Sequence, residues 1–138
     1  MSVKYRISKV KNPSKNAIEG TTYYACKSIK VDDYTFKDLA EEINDSTTVT
    51  RADATAVFIA MQGLIARALR NGRRVVLDNL GSLRVNLRGK CFSQDAMAAS
   101  DFSPAAQIQG HRISFLPDVG LKRAVANGIS YEREATEA

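Results

Sequence analysis

Three side chains that can bind phosphate stand at alternate positions of one short segment. Arg84, Asn86 and Arg88 alternate there with three aliphatic residues. Successive side chains of a β-strand point to opposite faces, so this segment is predicted to be a strand with one basic and one apolar face. Guanidinium and amide groups on one face can donate hydrogen bonds to phosphate oxygens. By periodicity alone, the pattern fits a merely solvated strand face better than a phosphate-binding one.

Two more cations belong to the same candidate site. Arg112 lies on a predicted returning strand, residues 111–115, where Ile113 and Phe115 are expected to point inward. An antiparallel return would bring Arg112 to the side of the sheet that carries Arg84. Lys90 follows directly after the first basic strand and is included as a candidate phosphate contact.

A second basic group lies near the start of the chain. Residues 1–31 hold seven lysines and arginines against a single glutamate. Lys4 and Arg6 alternate with apolar residues, and Asn12-Pro13 interrupts the pattern before a second strand-like stretch at 21–31, so a β-hairpin is predicted. Two interpretations remain open: the hairpin cations contact phosphate, or they keep an edge hairpin soluble.

The overall charge suits an anionic partner. The net charge is +5 over 138 residues, and the isoelectric point is about 9.4. A net positive charge of this kind is common in nucleic-acid-binding proteins. No run of about 18 apolar residues and no apolar leader segment is present, so we expect a cytoplasmic protein at the nucleoid, without a membrane partner.

The remaining reactive residue types do not form a site for catalysis or for a metal. His111 is the single histidine, and Cys26 and Cys91 stand far apart without a Cys-x-x-Cys motif. The adjacent carboxylates Glu41-Glu42 do not face each other on a helix. We therefore expect no enzyme activity, no metal, no cofactor and no small-molecule substrate.

Two amphipathic helices are predicted before the basic strand. Thr35 with Asp38, and Thr50 with Asp53, are capping pairs at their starts. Apolar residues of the second helix recur at i, i+3, i+4 and i+7, which predicts a long buried stripe. The stripe consists of Ala54, Val57, Phe58, Met61, Leu64, Ile65, Ala68 and Leu69.

The second half is predicted to contain three strands and a final helix. Residues 75–77 form a short apolar strand. The basic pair Arg73-Arg74 before it either contacts phosphate or pairs with Asp78 and the helix acids, and the pattern favours the second. Residues 89–110 are predicted to be irregular, with Phe102 and Pro104 more plausible as a packed stub than as a wedge between bases. Pro117 is expected to open the last helix.

The order and spacing of these elements resemble the family of HU and integration host factor. Asn71 to Val85 is similar to the family's Gly-rich turn and strand segment, and Phe115 followed by 121–125 is similar to its closing Phe…Leu-Lys-x-Ala-Val. The resemblance implies an α+β fold with two N-terminal helices, a three-stranded antiparallel sheet with a β-arm, and a C-terminal helix, assembled as an intertwined homodimer. It also implies binding of double-stranded DNA on a saddle formed by the basic sheet face.

The segment before the body resembles the extended branch of this family in Bacteroides-like bacteria. The chain is accordingly divided into a basic β-hairpin extension at 1–31, an HU-like domain at 32–131 and a frayed tail at 132–138. The sequence departs from the family in residues 89–110, which lack the Arg-Asn-Pro arm tip and carry Asp95 and Asp101. An HU-like protein–protein interaction module that has lost DNA binding is therefore the alternative function.

Overall fold

Two three-stranded sheets, two longer helices and two shorter ones make up the described part of the protein. The computed structural model describes residues 2–11 and 13–135. One sheet has the strand order β2-β1-β6 and is formed by the two ends of the chain, and the other has the order β3-β4-β5. Asn12 of the predicted hairpin loop and residues 136–138 of the predicted tail lie outside the described residues.

The N-terminal sheet begins with the predicted hairpin. Strands β1 (Val3–Lys9) and β2 (Tyr24–Ser28) are antiparallel, and β2 is shorter than the predicted stretch. A third strand, β6 (Tyr131–Arg133), runs parallel to β1. The prediction of a frayed tail from residue 132 is therefore wrong for residues 132 and 133. Pairing with β6 satisfies backbone groups of β1 that would otherwise form an open sheet edge.

The two predicted helices are present with their predicted caps. Helix α1 (Phe36–Ser46) starts at a reciprocal capping box of Thr35 and Asp38, and α2 (Arg51–Arg70) starts at Thr50, whose hydroxyl accepts from the Asp53 N–H. The rings of Phe36 and Phe58 stack with centroids 4.0 Å apart and join the helices.

The second sheet is antiparallel throughout. Its strands are β3 (Val75–Leu77), β4 (Gly81–Gly89) and β5 (Ile108–Pro117). The turn between β3 and β4 is tight, and Asn79 there has a φ of 64°. A Cβ atom on Gly81 would lie 2.7 Å from the Phe115 ring. The backbone therefore lies too close to this ring for any residue except glycine.

Strands β4 and β5 continue as a paired two-stranded hairpin beyond the three residues of β4 that pair with β3. Strand pairing stops at Gly89 and Ile108, and the segment between them folds into a one-turn helix α3 (Gln94–Met97) and a 3-10 turn (Ala105–Gln107). The prediction of a wholly irregular segment is thus wrong, because Ser93 caps α3 and the Phe92 and Phe102 rings contact each other at 4.9 Å.

The final helix, α4 (Val119–Ala126), starts two residues later than predicted. Asp118 is its N-cap and accepts from the Gly120 N–H, whereas Pro117 is the last residue of β5. The carboxylate of an aspartate can accept the N-cap hydrogen bond, and proline has no side-chain group that could do so.

The core of a single chain is small. Among the described residues, the buried apolar side chains are Ala40, Ala54 and Leu69. The α2 stripe instead borders an open groove of about 890 Å³ between the helices and the second sheet. Ile113 and Phe115, predicted to point inward, remain 57% and 52% exposed. One chain therefore leaves most of its apolar stripe uncovered.

Candidate nucleic-acid interface

The strand register gathers the predicted phosphate-binding residues on one face of the second sheet. Asn86 lies directly opposite Arg112, Arg84 opposite Ser114, and Arg88 opposite Gly110. Opposed residues of antiparallel strands share a face, so the three arginines and Asn86 point the same way. All three arginines are exposed. The predicted grouping of the sheet residues is therefore what the register produces.

The helices lie against the other face of this sheet. Leu83 and Ile113, which alternate with the arginines along their strands, line the groove together with α1 and α2 side chains. The face that carries the arginines is consequently left without a covering element from α1 or α2. His111, next to Arg112, alternates to the helix side.

A fourth arginine, Arg74, joins this face. Its guanidinium donates to the Ser82 hydroxyl at 3.1 Å, and Ser82 precedes Arg84 by two positions on the same face. We call Arg74, Arg84, Arg88 and Arg112 the arginine face. The expected pairing of Arg74 with Asp78 is not observed. The sequence could have predicted this contact. A tight turn at residues 78–80 fixes the register of β3 against β4, and that register brings Arg74 beside Ser82.

Hydrogen bonds hold the middle of the arginine face in place. The Asn86 amide donates to the Ser114 hydroxyl across the strands. Ser82, which receives the Arg74 bond, is only 8% exposed.

The arginine face has no internal counter-ion among the residues that the structure describes. The ion pairs within ranges 2–11 and 13–135 join Lys30 to Asp33 at 2.6 Å and Arg51 to Glu41 at 3.1 Å. Neither pair involves the arginine face. Four uncompensated guanidinium groups on one face form an electrostatic site for a polyanion.

Lys90 is separated from the arginine face by a change of register. A bulge falls between Arg88 and Gly89, and Lys90 lies beyond the strand, where its N–H donates to the Gln107 carbonyl. Strict alternation no longer applies after a bulge. Lys90 therefore belongs to the tip of the hairpin, next to the face but not in its row.

The hairpin tip, residues 90–107, is a folded cap. Phe102 is half-buried against Phe92, and Pro104 precedes the 3-10 turn on the exposed surface. Pro104 and Phe102 therefore form part of a packed stub, as the sequence favoured, and the proline is one residue of a turn.

Lys4 and Arg6 lie elsewhere, in the N-terminal sheet. Strand β1 pairs with β2 and β6 and has no place in the sheet of the arginine face. The structure thus divides six of the seven predicted contacts between two sheets and places Lys90 at the hairpin tip.

Neither cysteine nor any acidic cluster supplies a metal centre within the described part of the chain. Cys26 and Cys91 are free and exposed, and no group of three or more His, Cys, Asp and Glu side chains is placed to hold an ion among residues 2–11 and 13–135.

Helix α2 is long and apolar enough to cross a membrane by length and composition alone. The same properties are found in the central helices of soluble proteins.

A helix pair on one face of a three-stranded sheet, with arginines on the other face, is the arrangement of HU-type, histone-like DNA-binding proteins. A family model described as "HU domain fused to wHTH, Ig, or Glycine-rich motif" matches residues 1–133, and the chain belongs to this HU-HIG family.

Solved structures show the same fold at low sequence identity. A Bacteroides vulgatus protein assigned to DNA binding is similar over 98% of this chain, with a TM-score of 0.66 and 15% identity. This chain spans 50% of the length of that protein. HU of Anabaena, solved in complex with DNA, is similar over 67% of this chain and 98% of its own, with a TM-score of 0.50 and 19% identity. No curated protein is similar enough in sequence to add a further comparison.

Proposed function

We propose that this chain is a non-enzymatic architectural protein that binds duplex DNA with little sequence specificity, and that it acts as a homodimer. The observation that carries the proposal is the register of β4 and β5, which aligns Arg84, Asn86, Arg88 and Arg112 on the sheet face opposite the helices. Cations in this arrangement neutralise phosphates without reading base edges.

Slight specificity follows from the shape of the site. The helices α1 and α2 lie on the far side of the sheet from the arginines and are not presented to a major groove. Sequence is read mainly by groups inserted into the grooves, whereas contacts to the backbone position a protein without selecting a sequence. The proposed site contacts backbone phosphates, with Lys90 adding a contact at the hairpin tip.

Dimerisation is proposed from the uncovered stripe of α2. Val57 is 59% exposed, Phe58 48% and Leu64 56%, and all lie on one side of the helix. A contiguous apolar surface of this kind is uncommon on soluble monomers and is typical of an interface. A second copy offers a stripe of the same length and chemistry, and a two-fold axis would bury both.

The test is a salt-titrated gel shift on a random-sequence duplex. We expect affinity to fall by orders of magnitude from low to high salt, with about 4–8 phosphates neutralised per dimer. The variant R84Q/R88Q/R112Q should lose most of this binding. Its matched control, R70Q/K122Q/R123Q, removes the same charge from α2 and α4 and should retain it.

Two outcomes would overturn the proposal. A flat salt response, or one sequence preferred by about 1000-fold or more, would contradict binding through phosphates alone. Unmodified protein that binds no duplex at low salt would favour the alternative of an HU-like protein–protein interaction module.

A further inference from the structure

The N-terminal sheet has a basic face of its own, separate from the arginine face. In the β1–β2 register Arg6 lies directly opposite Lys27, and Lys4 is two positions from Arg6 on the same face of β1. All three side chains are exposed. We call Lys4, Arg6 and Lys27 the N-terminal basic face.

The position of Lys4 rules out the simplest structural explanation for this cation. Lysines on an edge strand prevent a sheet from pairing with another chain. Strand β1, however, is paired on both sides at Lys4, because β6 pairs with residues 3–5 of its second edge. Lys4 therefore does not protect an edge, whereas Arg6 follows the last residue paired with β6 and Lys27 lies on the edge strand β2.

Placing Arg6 opposite Lys27 does not stabilise the fold either. Directly opposed side chains have Cβ atoms about 4.5–5.5 Å apart, and like charges at this distance destabilise a sheet. One neighbouring acid is Glu132, which stands opposite Lys4 on β6 and accepts a hydrogen bond from the Ser2 hydroxyl at 2.8 Å. A second is Glu134, whose N–H donates to the Tyr5 carbonyl beside Arg6 at 2.9 Å. Three cations thus share one face with two carboxylates.

The other hairpin cations are arranged differently, which makes this cluster distinct. Lys30 is paired with Asp33 at 2.6 Å. Lys9 alternates to the opposite face of β1, and Lys11 and Lys15 follow in the loop. The cluster is therefore a feature of the register and not of the general basicity of residues 1–31.

We propose that the N-terminal basic face is a second phosphate-binding surface for duplex DNA, acting in addition to the arginine face. An external polyanion relieves the repulsion between Arg6 and Lys27. The proposal rests on the proposed function for the choice of DNA as the polyanion, but its residues lie in another sheet.

The test compares two variants that lose the same charge. K4Q/R6Q/K27Q removes the N-terminal basic face, and K9Q/K11Q/K15Q removes three cations from the opposite face and the loop of the same hairpin. The first variant should bind random duplex more weakly and lower the salt slope by about one for each lost contact. The control should change both quantities much less, and equal effects of the two variants would overturn the proposal.

A measurement on the unmodified chain keeps the test independent of variant folding. Acetylation of lysines, read by mass spectrometry with and without duplex, should show Lys4 and Lys27 protected and Lys9 and Lys15 still reactive. Reactivity of Lys4 and Lys27 that duplex leaves unchanged would overturn the proposal. Protection by anionic lipid vesicles but not by duplex would also overturn it.

The two proposals fail in different ways. If R84Q/R88Q/R112Q abolishes binding while K4Q/R6Q/K27Q matches its control, the arginine face is the DNA site and the second surface does not exist. If K4Q/R6Q/K27Q abolishes binding while R84Q/R88Q/R112Q does not, the N-terminal basic face stands and the arginine face is not the DNA site.

Discussion

Asn86 and Arg112 lie directly opposite each other on β4 and β5, and this single pairing sets the geometry of the arginine face. Successive side chains of a strand point to opposite faces of the sheet. A slip of one residue in the β4–β5 register would therefore turn Arg112 to the helix side. The amide of Asn86 also donates to the Ser114 hydroxyl, two residues further along β5. The register that creates the site is therefore held by side chains of the site itself.

Replacing Arg88 with Ala should weaken binding to all duplexes alike. The guanidinium is exposed in the row of the arginine face, and loss of one phosphate contact lowers the salt slope by about one. The measurement is a gel shift over a series of salt concentrations with two unrelated sequences. Arg123→Ala, which removes an equal charge from α4, is the control, and an Arg88→Ala effect confined to one sequence would argue for base readout instead.

Replacing Leu64 with Asp should unfold the protein and not release a folded monomer. Leu64 lies on the exposed stripe of α2, which we propose the second copy covers. A charge buried without a partner destabilises by several kcal/mol, on the order of the whole stability of a small domain. Ile59→Asp is the control, since Ile59 lies about 100° around the helix from Phe58 and away from the stripe. Sedimentation of the unmodified chain as a folded monomer at micromolar concentration would contradict the dimer.

Replacing Gly81 with Ala should destabilise the fold strongly. The added Cβ would meet the Leu116 carbonyl oxygen and approach the Phe115 ring at 2.7 Å. Relief of this clash requires backbone movement in β4 or β5, with a cost on the order of 2–4 kcal/mol. Gly110→Ala, at a site with no neighbouring atom within 4 Å, should change stability by less than about 0.5 kcal/mol. Denaturant unfolding measures both values, and similar midpoints for the two variants would refute the close approach.

Replacing Pro104 with Ala should leave DNA affinity and bending nearly unchanged. Pro104 precedes a 3-10 turn in a folded cap held by Phe92 and Phe102. An intercalating wedge must project from its support, whereas this proline is one residue of the folded segment that closes the β4–β5 hairpin. End-to-end FRET on a short duplex measures the bend, with Arg88→Ala as the comparison. Loss of a large bend in Pro104→Ala alone would show that the tip is an intercalating device.

Replacing Asp38 with Asn should destabilise α1 in a pH-dependent manner. Hydrogen bonds from the Thr35 backbone N–H and hydroxyl hold the pKa of the Asp38 carboxyl below its ordinary value. A lowered folded-state pKa stabilises the fold above the unfolded value of 3.8, and this contribution is lost as pH falls through the folded pKa. Thermal melts should therefore separate the variant from the unmodified chain at neutral pH and converge in acid.

Local patterns in the sequence determined the elements and one basic face. The capping pairs at Thr35 and Thr50 predicted where α1 and α2 begin, and alternation predicted the strand that carries Arg84 and Arg88. These features depend on residues within a few positions of one another, for which propensity and periodicity are strong signals. The grouping of Arg112 with Arg84 followed from treating the two strands as an antiparallel pair.

Only the tertiary structure decided the features that join distant parts of the chain. Pairing of β6 with β1 placed Lys4 between two neighbouring strands, although Tyr131 and Val3 are far apart in sequence. Arg74 joined the site through Ser82, and the tip of the β4–β5 hairpin folded into a cap around two aromatic rings. Such contacts form between segments whose local patterns carry no information about each other, so the free energy of the whole fold decides them.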